Sequence, residues 1–347
     1  MDLSLYDYPL PEAQIARKPA SPRDSSKLLI YDTRTNTITV DSFRNLHKHL
    51  PVKSLLVMNE TKVLPCRVLA ESSKGPVELL IMTNEWNPTD TVLSATCSKK
   101  LHPGEIVKLS KTHSLYVLES HEKVFRFKPS FSLKNLPAIL ARIGQVPIPN
   151  YITHCELTEA EKRKKYQSIL AKDPGSVAAP TASLHFTPRV LKSLRAKGVD
   201  LATLTLHIGL GTFAPVLPEH FETATLYKER YWIPRETQEK IAAQKKAGAP
   251  LHAPLIAVGT TATRALESFA RSRAPEGPTE LFIFPPYPFQ MLDGLLTNFH
   301  LPKSSLMMLV EAFLQHKGAK RHLTELYAFA LAHDFRFYSF GDGMLIL

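Results

Sequence analysis

The stretch Leu255-Ile256-Ala257-Val258-Gly259-Thr260-Thr261 joins four consecutive apolar residues to a glycine and two threonines. Such a run is typical of a buried strand, and a helical pattern over Thr261–Ser272 follows it directly. The same alternation extends to both sides, over Leu201–Ile208, Arg235–Lys246, Leu255–Val258, Thr261–Ser272, Glu280–Phe284, Lys303–Leu314 and Arg321–His333. Strands that alternate with helices predict an α/β domain.

The segment between residues 63 and 128 has a different character. Short runs rich in β-branched and aromatic residues alternate with turn residues over Val77–Met82, Thr91–Thr96, Glu105–Leu109, Ser114–Leu118 and Val124–Phe127. With no helix signal between them, these runs predict a small antiparallel barrel or sandwich. We therefore expect a larger α/β domain, residues 1–62 and 148–347, interrupted by a smaller inserted antiparallel β-barrel domain, residues 63–147. The alternative is one continuous mixed domain.

Local signals predict several further elements. Strand-like runs precede the barrel segment at Leu28–Tyr31, Thr37–Val40 and Leu55–Met58. Thr158 and Glu161 have the spacing of a capping box, which predicts a helix from there to about Ala171. Thr187, followed by a proline, predicts the start of another helix, and Gly198 lies just past its end.

The composition is that of an ordinary globular protein, with 44% hydrophobic and 22% charged residues among 347. The formal net charge of +11 favours a polyanionic partner, although a basic enzyme without such a partner has the same charge. Three widely spaced cysteines without a C-x-x-C pair fit a reducing cytoplasm. No two histidines have metal-ligand spacing on a predicted helix, and we expect no metal.

Targeting and membrane signals are weak. Asp2 and Asp7, without an apolar segment beside them, argue against a signal peptide. The apolar run Leu306–Leu314 is too short to span a bilayer and contains Glu311. We expect a cytoplasmic protein without membrane association, and a monomer rather than an obligate oligomer.

The segment Gly175–Thr187, G-S-V-A-A-P-T-A-S-L-H-F-T, is nearly uncharged and rich in small residues. It lacks the apolar spacing of a packed helix, and Pro180 at its centre disfavours a strand. The composition suits backbone that approaches a ligand closely, with hydroxyls and His185 directed at it. A tight loop with a core histidine is the equal alternative.

Two glycine-containing turns are candidate ligand sites. Backbone amides at a helix N-terminus after Gly259, with the hydroxyls of Thr260 and Thr261, suit a carboxylate or a ribose; an ordinary strand–helix turn is the alternative. Gly209 and Gly211 superficially match a dinucleotide fingerprint. The prolines that follow make an immediate long helix improbable, so we interpret them as a ligand-lining loop.

Basic residues cluster on two predicted helices that flank the Gly175–Thr187 segment. The first carries Lys162-Arg163-Lys164-Lys165, and the second carries Arg189, Lys192, Arg195 and Lys197. A solvated helix face is the default interpretation of one such run. Two of them beside the same loop favour a groove for nucleic acid.

Several blocks together resemble the S-adenosylmethionine:tRNA ribosyltransferase-isomerases, which act in queuosine biosynthesis. These blocks are the Gly175–Thr187 segment, Leu55–Val63 with its N-E-T-K-V turn, H-I-G-L-G-T-F at His207–Phe213, G-T-T-x-x-R at Gly259–Arg264, L-T-N-F-H-L-P-K-S at Leu296–Ser304 and the tail Phe335–Ile346. They occur in the family's order and cover essentially the whole chain. Several multi-residue blocks are far more specific than one short motif.

The resemblance implies a reaction and its substrates. Members of the family transfer and isomerise the ribosyl part of S-adenosylmethionine onto 7-aminomethyl-7-deazaguanine at a tRNA wobble position, giving epoxyqueuosine in tRNA, adenine and methionine. It also implies an α/β domain interrupted by a smaller β-barrel, which agrees with the pattern at residues 63–147. S-adenosylmethionine and the tRNA anticodon stem-loop are then the expected partners.

The matching positions suggest individual roles. His185 is the candidate for proton transfer, and Glu60 or Asp342 is the candidate carboxylate that orients the acceptor or holds ribose hydroxyls. Arg264 would hold the methionine carboxylate with the two threonines of its turn. Binding of S-adenosylmethionine is expected from Thr181, His207, Gly209, Gly211, Thr212, Gly259, Thr260, Thr261, Arg264, Asn298 and His300. Binding of tRNA is expected from Lys62, Arg67, Lys162, Arg163, Lys164, Lys165, Arg189 and Lys192.

Simpler interpretations stay open for some of these residues. His207 and His300 are flanked by apolar residues, and each alone has the pattern of a satisfied buried histidine. Asp342 lies between glycines and could merely stabilise a turn. At the level of the whole chain, the alternatives are a non-catalytic RNA-binding protein that kept the fold and a methyltransferase that uses the same co-substrate.

The chain departs from the family pattern at five positions. Glu60 and Lys62 stand where Asp and Arg are usual, which keeps the charge but changes reach and geometry. Ser183 and Pro286 replace glycines, and Tyr227 stands near the usual place of a histidine. These changes leave the expected reaction intact and bear on local backbone geometry and substrate preference.

Overall fold

The computed structural model describes residues 2–121, 123–149, 151–152, 154–209, 211, 216–245 and 253–347. The strands are β1 Lys27–Asp32, β2 Thr37–Ser42, β3 Leu55–Asn59, β4 Thr61–Val63, β5 Arg67–Ser72, β6 Gly75–Ile81, β7 Leu93–Cys97, β8 Ile106–Lys108, β9 Ser114–His121, β10 Val124–Pro129, β11 Asp173–Ser176, β12 Asp200–His207, β13 Thr225–Trp232, β14 Leu255–Val258, β15 Glu276–Leu281, β16 Gly294–Asn298 and β17 Gly343–Ile346. The α-helices are α1 Leu46–His49, α2 Leu136–Ile143, α3 Glu159–Lys165, α4 Pro188–Ala196, α5 Pro218–Thr223, α6 Arg235–Gln244, α7 Thr260–Ser272, α8 Ser305–His316 and α9 Leu323–Ala332.

A nine-stranded sheet in the order β15-β13-β12-β3-β14-β16-β17-β1-β2 forms the larger part of the molecule. At its centre β3 pairs in parallel with β12 and β14, and β14 pairs in parallel with β16. Every residue of β3 and β14 is buried, as expected for parallel strands covered on both faces. The carboxyl ends of these four strands meet at one edge, where α/β sheets commonly bind ligands.

Two apolar layers cover the central sheet. Leu255 and Ala257 of β14 belong to the core that includes side chains of α6, α7, α8 and α9. Ile256 and Val258 point the other way, into a core with Val190 of α4 and residues of α1. Helices therefore lie on both faces, which confirms the α/β architecture predicted from the alternation of strands and helices.

The six strands from β5 to β10 close into an antiparallel barrel. Side chains alternate across its wall: Val68 and Ala70 are buried in the barrel core, whereas Leu69 between them is 62% exposed. The predicted barrel is thus confirmed, although β5 was not among the predicted runs. All six strands lie within the expected insertion, whose boundaries at residues 63 and 147 remain a prediction.

Two sequence-based element boundaries were wrong. The helix α3 begins with the predicted capping box of Thr158 and Glu161, but it ends at Lys165 rather than near Ala171. The chain leaves the helix there because the Gln167 side chain forms two hydrogen bonds with the backbone of Val63, at 2.6 and 2.9 Å.

The second wrong boundary concerns a strand expected at Glu280–Phe284. The strand β15, at the edge of the sheet, instead spans Glu276–Leu281, since it pairs with β13, a strand that the sequence pattern did not indicate.

Candidate active site

The largest concentration of predicted site residues surrounds a cavity at the carboxyl edge of the central sheet, here called the central cavity. Its empty volume, open mouth included, is about 710 Å³. The lining residues are Tyr151, Tyr166, Ala178, Ala179, Pro180, Thr181, Ala182, Ile208, Gly259, Thr260, Thr261, Thr297, Asn298, Phe299, His300, Leu301, Ser304, Leu306, Tyr338 and Ser339.

The N-terminus of α7 forms one wall of the central cavity. Gly259 precedes the helix with φ +89°, a conformation that favours glycine. The first amides of the helix have no intrahelical acceptor, and the helix dipole adds partial positive charge there. The Thr261 hydroxyl accepts a hydrogen bond from Asn59 Nδ2 at 3.1 Å, which fixes its position. This wall can hold a carboxylate or sugar hydroxyls.

The Gly175–Thr187 segment forms a second wall. Ser176 Oγ donates to the carbonyl of Ala178 at 2.7 Å and accepts from the amide of Ile208 at 2.9 Å, so the segment is tied to the end of β12. After Pro180 the chain forms a 3₁₀ turn over Thr181–His185. Ala178, Ala179 and Pro180 line the cavity outside any helix or strand, whereas Thr181 and Ala182 line it from the start of the 3₁₀ turn. The segment thus forms neither an α-helix nor a strand where it lines the cavity, as its composition predicted.

Asn298, the last residue of β16, and His300, two residues further on, form a third wall. Asn298 Nδ2 donates to the carbonyl of Tyr338 at 3.1 Å, while its buried Oδ1 has no partner among the described residues. His300 Nε2 lies 2.9 Å from Thr297 Oγ1, and burial lowers the pKa of His300 to about 3. The imidazole is thus neutral, and the free Asn298 oxygen can accept a hydrogen bond from a ligand.

His185 does not line the central cavity; it is buried beside Asn298 of this wall. Its Nδ1 lies 2.9 Å from Ser26 Oγ, and its ring stacks on Phe43 with 4.7 Å between centroids. Burial, followed by the charge of Arg336, lowers the pKa of His185 to about 4, and the nearby Asn298 side chain opposes part of this shift. Nε2 has no partner among the described residues. A neutral imidazole with one free nitrogen can accept a proton.

The two candidate carboxylates differ in their surroundings. Asp342 accepts hydrogen bonds from the amides of Lys27 and Arg336 and an ion pair from the Arg336 guanidinium, at 3.0, 2.7 and 3.2 Å. These contacts agree with the turn-stabilising interpretation. Glu60 is buried between β3 and β4, and its backbone carbonyl accepts from the amide of Lys172. Neither residue lines the central cavity.

Arg264 lies away from the helix N-terminus, in a smaller cavity lined also by Gly211, Tyr227 and Glu229, here called the Arg264 cavity. Its Nη1 forms a buried ion pair with Glu229, and its Nη2 has no partner among the described residues. Leu306 lines both this cavity and the central cavity, so the two are neighbours. Thr212 lies outside the described residues.

His207 and Gly209 face a different region, toward the barrel. His207 Nδ1 lies 2.8 Å from Thr61 Oγ1, and burial lowers the pKa of this histidine. The amide of Gly209 donates to Glu229 at 2.9 Å. The structure therefore brings Thr181, Gly259, Thr260, Thr261, Asn298 and His300 together, and it separates His207, Gly209, Gly211 and Arg264 from them.

Some of the predicted RNA-binding residues are exposed, and others already form hydrogen bonds or ion pairs within the protein. Lys62, Lys164 and Lys192 are exposed. Arg163 donates to the carbonyl of Ala141 at 2.9 Å, and Lys165 pairs with Glu161 at 2.8 Å. Two further arginines are also paired, Arg189 with the buried Asp24 and Arg67 with Glu78. Lys162 is partly buried on α3.

Sequence reasoning missed six polar residues of the central cavity, Tyr151, Tyr166, Thr297, Ser304, Tyr338 and Ser339. Tyr338 and Ser339 belong to the tail block that carried the resemblance, and this is a signal that could have found them. Tyr151 had no such signal; its hydroxyl meets Ser339 Oγ at 2.7 Å through a contact distant in sequence. No helix within the described ranges is both long and apolar enough to cross a membrane.

Comparison with known proteins gives a consistent result over the full length. A family model described as "Queuosine biosynthesis protein" matches residues 3–346. The S-adenosylmethionine:tRNA ribosyltransferase-isomerase of Desulfitobacterium hafniense is 38% identical, with all of both chains covered. The enzyme of the same name from Rubrobacter xylanophilus is 39% identical over 98% of this chain and 96% of its own.

A solved structure supports the same assignment. The crystal structure of S-adenosylmethionine tRNA ribosyltransferase from Thermotoga maritima matches with a TM-score of 0.55 and 29% identity, covering 99% of this chain and 100% of that one. The family match spans nearly every residue, and the relatives are matched end to end. The chain therefore belongs to the queuosine biosynthesis protein family.

Proposed function

We propose that this protein is an S-adenosylmethionine:tRNA ribosyltransferase-isomerase. It transfers and isomerises the ribosyl part of S-adenosylmethionine onto 7-aminomethyl-7-deazaguanine at the wobble position of a tRNA. The products are epoxyqueuosine in tRNA, adenine and methionine. The ribose is donated rather than the methyl group, so the site must serve both a nucleoside and an RNA base.

One observation carries this proposal: three separate sequence blocks that bear the family resemblance converge on the central cavity. They are the Gly175–Thr187 segment, the turn at Gly259–Thr261 and the segment Thr297–Leu301. These blocks are far apart in sequence and adjacent in space. A shared cavity at the carboxyl edge of a parallel sheet is where a nucleoside substrate is expected in this fold class.

The lining suggests how the co-substrate is held. The amides and hydroxyls at the start of α7 suit the ribose hydroxyls or the carboxylate of S-adenosylmethionine. Asn298, with its unpartnered oxygen, suits a donor such as the adenine amino group, and His300 and Thr181 lie beside it. Arg264 remains a candidate for the methionine carboxylate through its free Nη2, reached from the neighbouring cavity.

The chemistry also requires proton transfer. The sulfonium acidifies the adjacent ribose carbon, adenine must leave and the acceptor amine must be neutral to attack, so a base near the sugar is needed. We assign this role to His185, because Nε2 is free and the ring is neutral near pH 7. Asp342 is already saturated by its own turn, which leaves Glu60 as the candidate carboxylate that orients the acceptor.

The test is a product analysis of the intact protein with S-adenosylmethionine and an anticodon stem-loop that carries 7-aminomethyl-7-deazaguanine. Mass spectrometry should detect free adenine together with a nucleoside heavier by the epoxy-cyclopentyl group. S-adenosylhomocysteine would instead identify a methyltransferase. Tight RNA binding without adenine release would identify a binding protein that kept the fold.

A further inference from the structure

A second polar cavity, here called the seam cavity, lies between the barrel and the edge of the central sheet. Asn84 and Trp86 line it from the turn that joins β6 to β7, and Thr205, Arg230 and Trp232 line it from β12 and β13. Its empty volume, open mouth included, is about 850 Å³. The proposed reaction at the central cavity makes no use of these residues.

Two buried polar side chains of the seam cavity have no hydrogen-bond partner among the described residues, Asn84 at Oδ1 and Thr205 at Oγ1. Asn84 is 4% exposed and Thr205 is 2% exposed. Buried polar atoms are almost always satisfied in native proteins, so each exception calls for a partner. Gly209 packs against the Asn84 amide so closely that an added Cβ would lie 2.6 Å from Nδ2, which holds the amide in place.

The aromatic residues of this cavity give a second, independent indication that it binds a ligand. The chain has two tryptophans, and both line the seam cavity. Trp86 is fixed through a hydrogen bond from Nε1 to the carbonyl of Leu133 at 3.0 Å, whereas Trp232 is 47% exposed. Aromatic rings at the surface of a groove are typical stacking platforms for unstacked bases, and the exposed Arg230 beside Trp232 supplies a positive charge for a phosphate.

The hydrogen-bonding groups narrow the class of base. Asn84 Oδ1 and the carboxylates of Asp173 and Glu276, which also line the cavity, are acceptors, and Arg230 is a donor. The Watson–Crick edge of a guanine-type base offers two N–H donors beside one carbonyl acceptor, and this pattern complements that set. A carboxylate in the cavity disfavours a site for phosphate alone.

We infer that the seam cavity binds an unstacked guanine-type base of the RNA substrate, with the base ring against Trp232 and its N–H edge toward Asn84 and Asp173. The inference rests on the proposed function for the identity of the RNA. A base removed from its stack is what an RNA-modifying enzyme must accommodate, and the energetic cost of unstacking is offset by stacking on protein.

Intrinsic fluorescence tests occupancy directly, because both tryptophans lie in this cavity. The anticodon stem-loop carrying 7-aminomethyl-7-deazaguanine should quench the fluorescence of the intact protein in a saturable way. Stem-loop binding without any change in fluorescence would overturn the inference. Equal quenching by the same concentration of guanosine 5′-monophosphate would also overturn it, since the cavity would then be a site for a free nucleotide.

Substitution of the exposed tryptophan tests the stacking contact. Trp232→Ala should weaken stem-loop affinity about tenfold or more, whereas Trp232→Phe keeps an aromatic face and should retain most of it. Tyr116→Ala is the matched control, because Tyr116 is 46% exposed on the outer face of the barrel and does not line the cavity. Equal affinities for Trp232→Ala and Tyr116→Ala would overturn the inference.

A nearly isosteric substitution of Thr205 can show whether its hydroxyl contacts the ligand or only stabilises the fold. Thr205→Val removes the unpartnered hydroxyl, so the free protein should unfold at the same or a higher urea concentration. The same change should weaken stem-loop binding about two- to tenfold, because the hydroxyl loses its ligand partner. Unchanged affinity would contradict the inference.

Failure of this inference and failure of the proposed function are distinguishable through adenine release by the unaltered protein. Adenine release with no effect of Trp232→Ala on RNA affinity would overturn the seam site alone. Loss of affinity in that variant without any adenine release by the unaltered protein would overturn the proposed reaction and support an RNA-base site.

Discussion

Ser26 Oγ lies 2.9 Å from Nδ1 of His185, and both side chains are buried. The contact spans 159 residues of sequence and joins the N-terminal segment to the 3₁₀ turn at Thr181–His185. With Nδ1 engaged, Nε2 is the ring nitrogen available for chemistry. The contact therefore occupies Nδ1 and holds the ring in place, whichever of the two groups donates the hydrogen.

Ser26→Ala should lower kcat about tenfold while leaving the KM for S-adenosylmethionine nearly unchanged, because the serine positions His185 and touches no substrate. Nδ1 should lose its hydrogen bond as well, and ¹⁵N NMR of the histidine ring can detect that change. Ser25→Ala is the control, since Ser25 is a half-buried neighbour whose hydroxyl donates to the carbonyl of Pro22 in the local turn. A stability loss of about 1–3 kcal/mol with unchanged kcat would mean that Ser26 has only a structural role.

His185→Ala should abolish turnover and leave the affinity for the anticodon stem-loop within about twofold. The reason is that the proposed proton transfer needs Nε2, whereas no RNA contact has been assigned to this buried ring. Adenine release and a binding titration on the same preparation measure the two effects. Normal turnover would remove His185 from the mechanism, and parallel loss of both activities would indicate unfolding.

Stability should fall as the pH is lowered from about 6.5. The pKa of His185 is about 4 and that of His300 about 3 in the folded protein, below the ordinary value of about 6.5. The unfolded chain therefore binds protons that the folded chain rejects, and each histidine costs about 2 kcal/mol of unfolding free energy at pH 5. Urea unfolding at pH 7 and pH 5 should show a smaller drop for His300→Gln than for the parent. His102→Gln, at an exposed histidine, should show the parent's drop.

Some elements could be predicted from the sequence because their local pattern of apolar and capping residues is sufficient to identify them. β14 is buried on both faces and appears as an unbroken apolar run, and α4 has its cap and terminal glycine in the expected places. β13 could not be found in this way, because one of its faces carries exposed polar and aromatic residues and its pairing depends on β12 and β15. The early end of α3 depends on Gln167 meeting Val63, a tertiary contact with no local signal.

The same distinction holds for the candidate site. Gly259–Thr261 directly follow one parallel strand and Asn298 ends another, so their place at the carboxyl edge follows from topology. His207 also ends a parallel strand, yet its side chain turns toward the barrel, because strand residues alternate between faces. Tyr151 enters the central cavity by packing against Ser339, and a sequence pattern could not have indicated that.

Binding of the RNA should depend on the exposed lysines. Lys164 and Lys192 are solvent-exposed on α3 and α4, and the ends of these helices are linked through adjacent residues, since Arg23 bonds the carbonyl of Lys164 and Asp24 bonds Arg189. The double variant Lys164→Ala/Lys192→Ala should weaken stem-loop binding and reduce the slope of log affinity against log salt by about 2, one for each lost phosphate contact.

Arg189→Ala is the informative contrast to this double variant. Its guanidinium already pairs with Asp24 at 2.6 Å, so the change should lower the free energy of unfolding by about 1 kcal/mol, because the arginine is largely exposed. The salt slope should change less than in the lysine variant. An unchanged slope in the double lysine variant would contradict a basic groove on this side of the molecule.

Variants of the buried ion pair between Arg264 and Glu229 can distinguish an effect on stability from an effect on substrate binding. Glu229 also accepts from the amide of Gly209, and Arg264 Nε donates to the carbonyl of Leu281 at 3.1 Å, so each member holds other parts of the chain. Glu229→Gln alone should cost about 3–5 kcal/mol of stability, because it leaves a buried unpaired guanidinium. Urea unfolding measures this loss.

The double variant Arg264→Met/Glu229→Gln should recover most of that stability, since no unpaired charge remains and the glutamine still accepts from Gly209. If the free Nη2 of Arg264 holds the carboxylate of S-adenosylmethionine, the KM for this substrate should still rise about tenfold or more in the double variant, with stem-loop affinity unchanged. A recovered fold with the parent's KM would make Arg264 a structural partner of Glu229 and would leave the helix N-terminus at Thr260 as the anchor for the carboxylate. Both outcomes are measured on the stable double variant, so neither of them can result from unfolding.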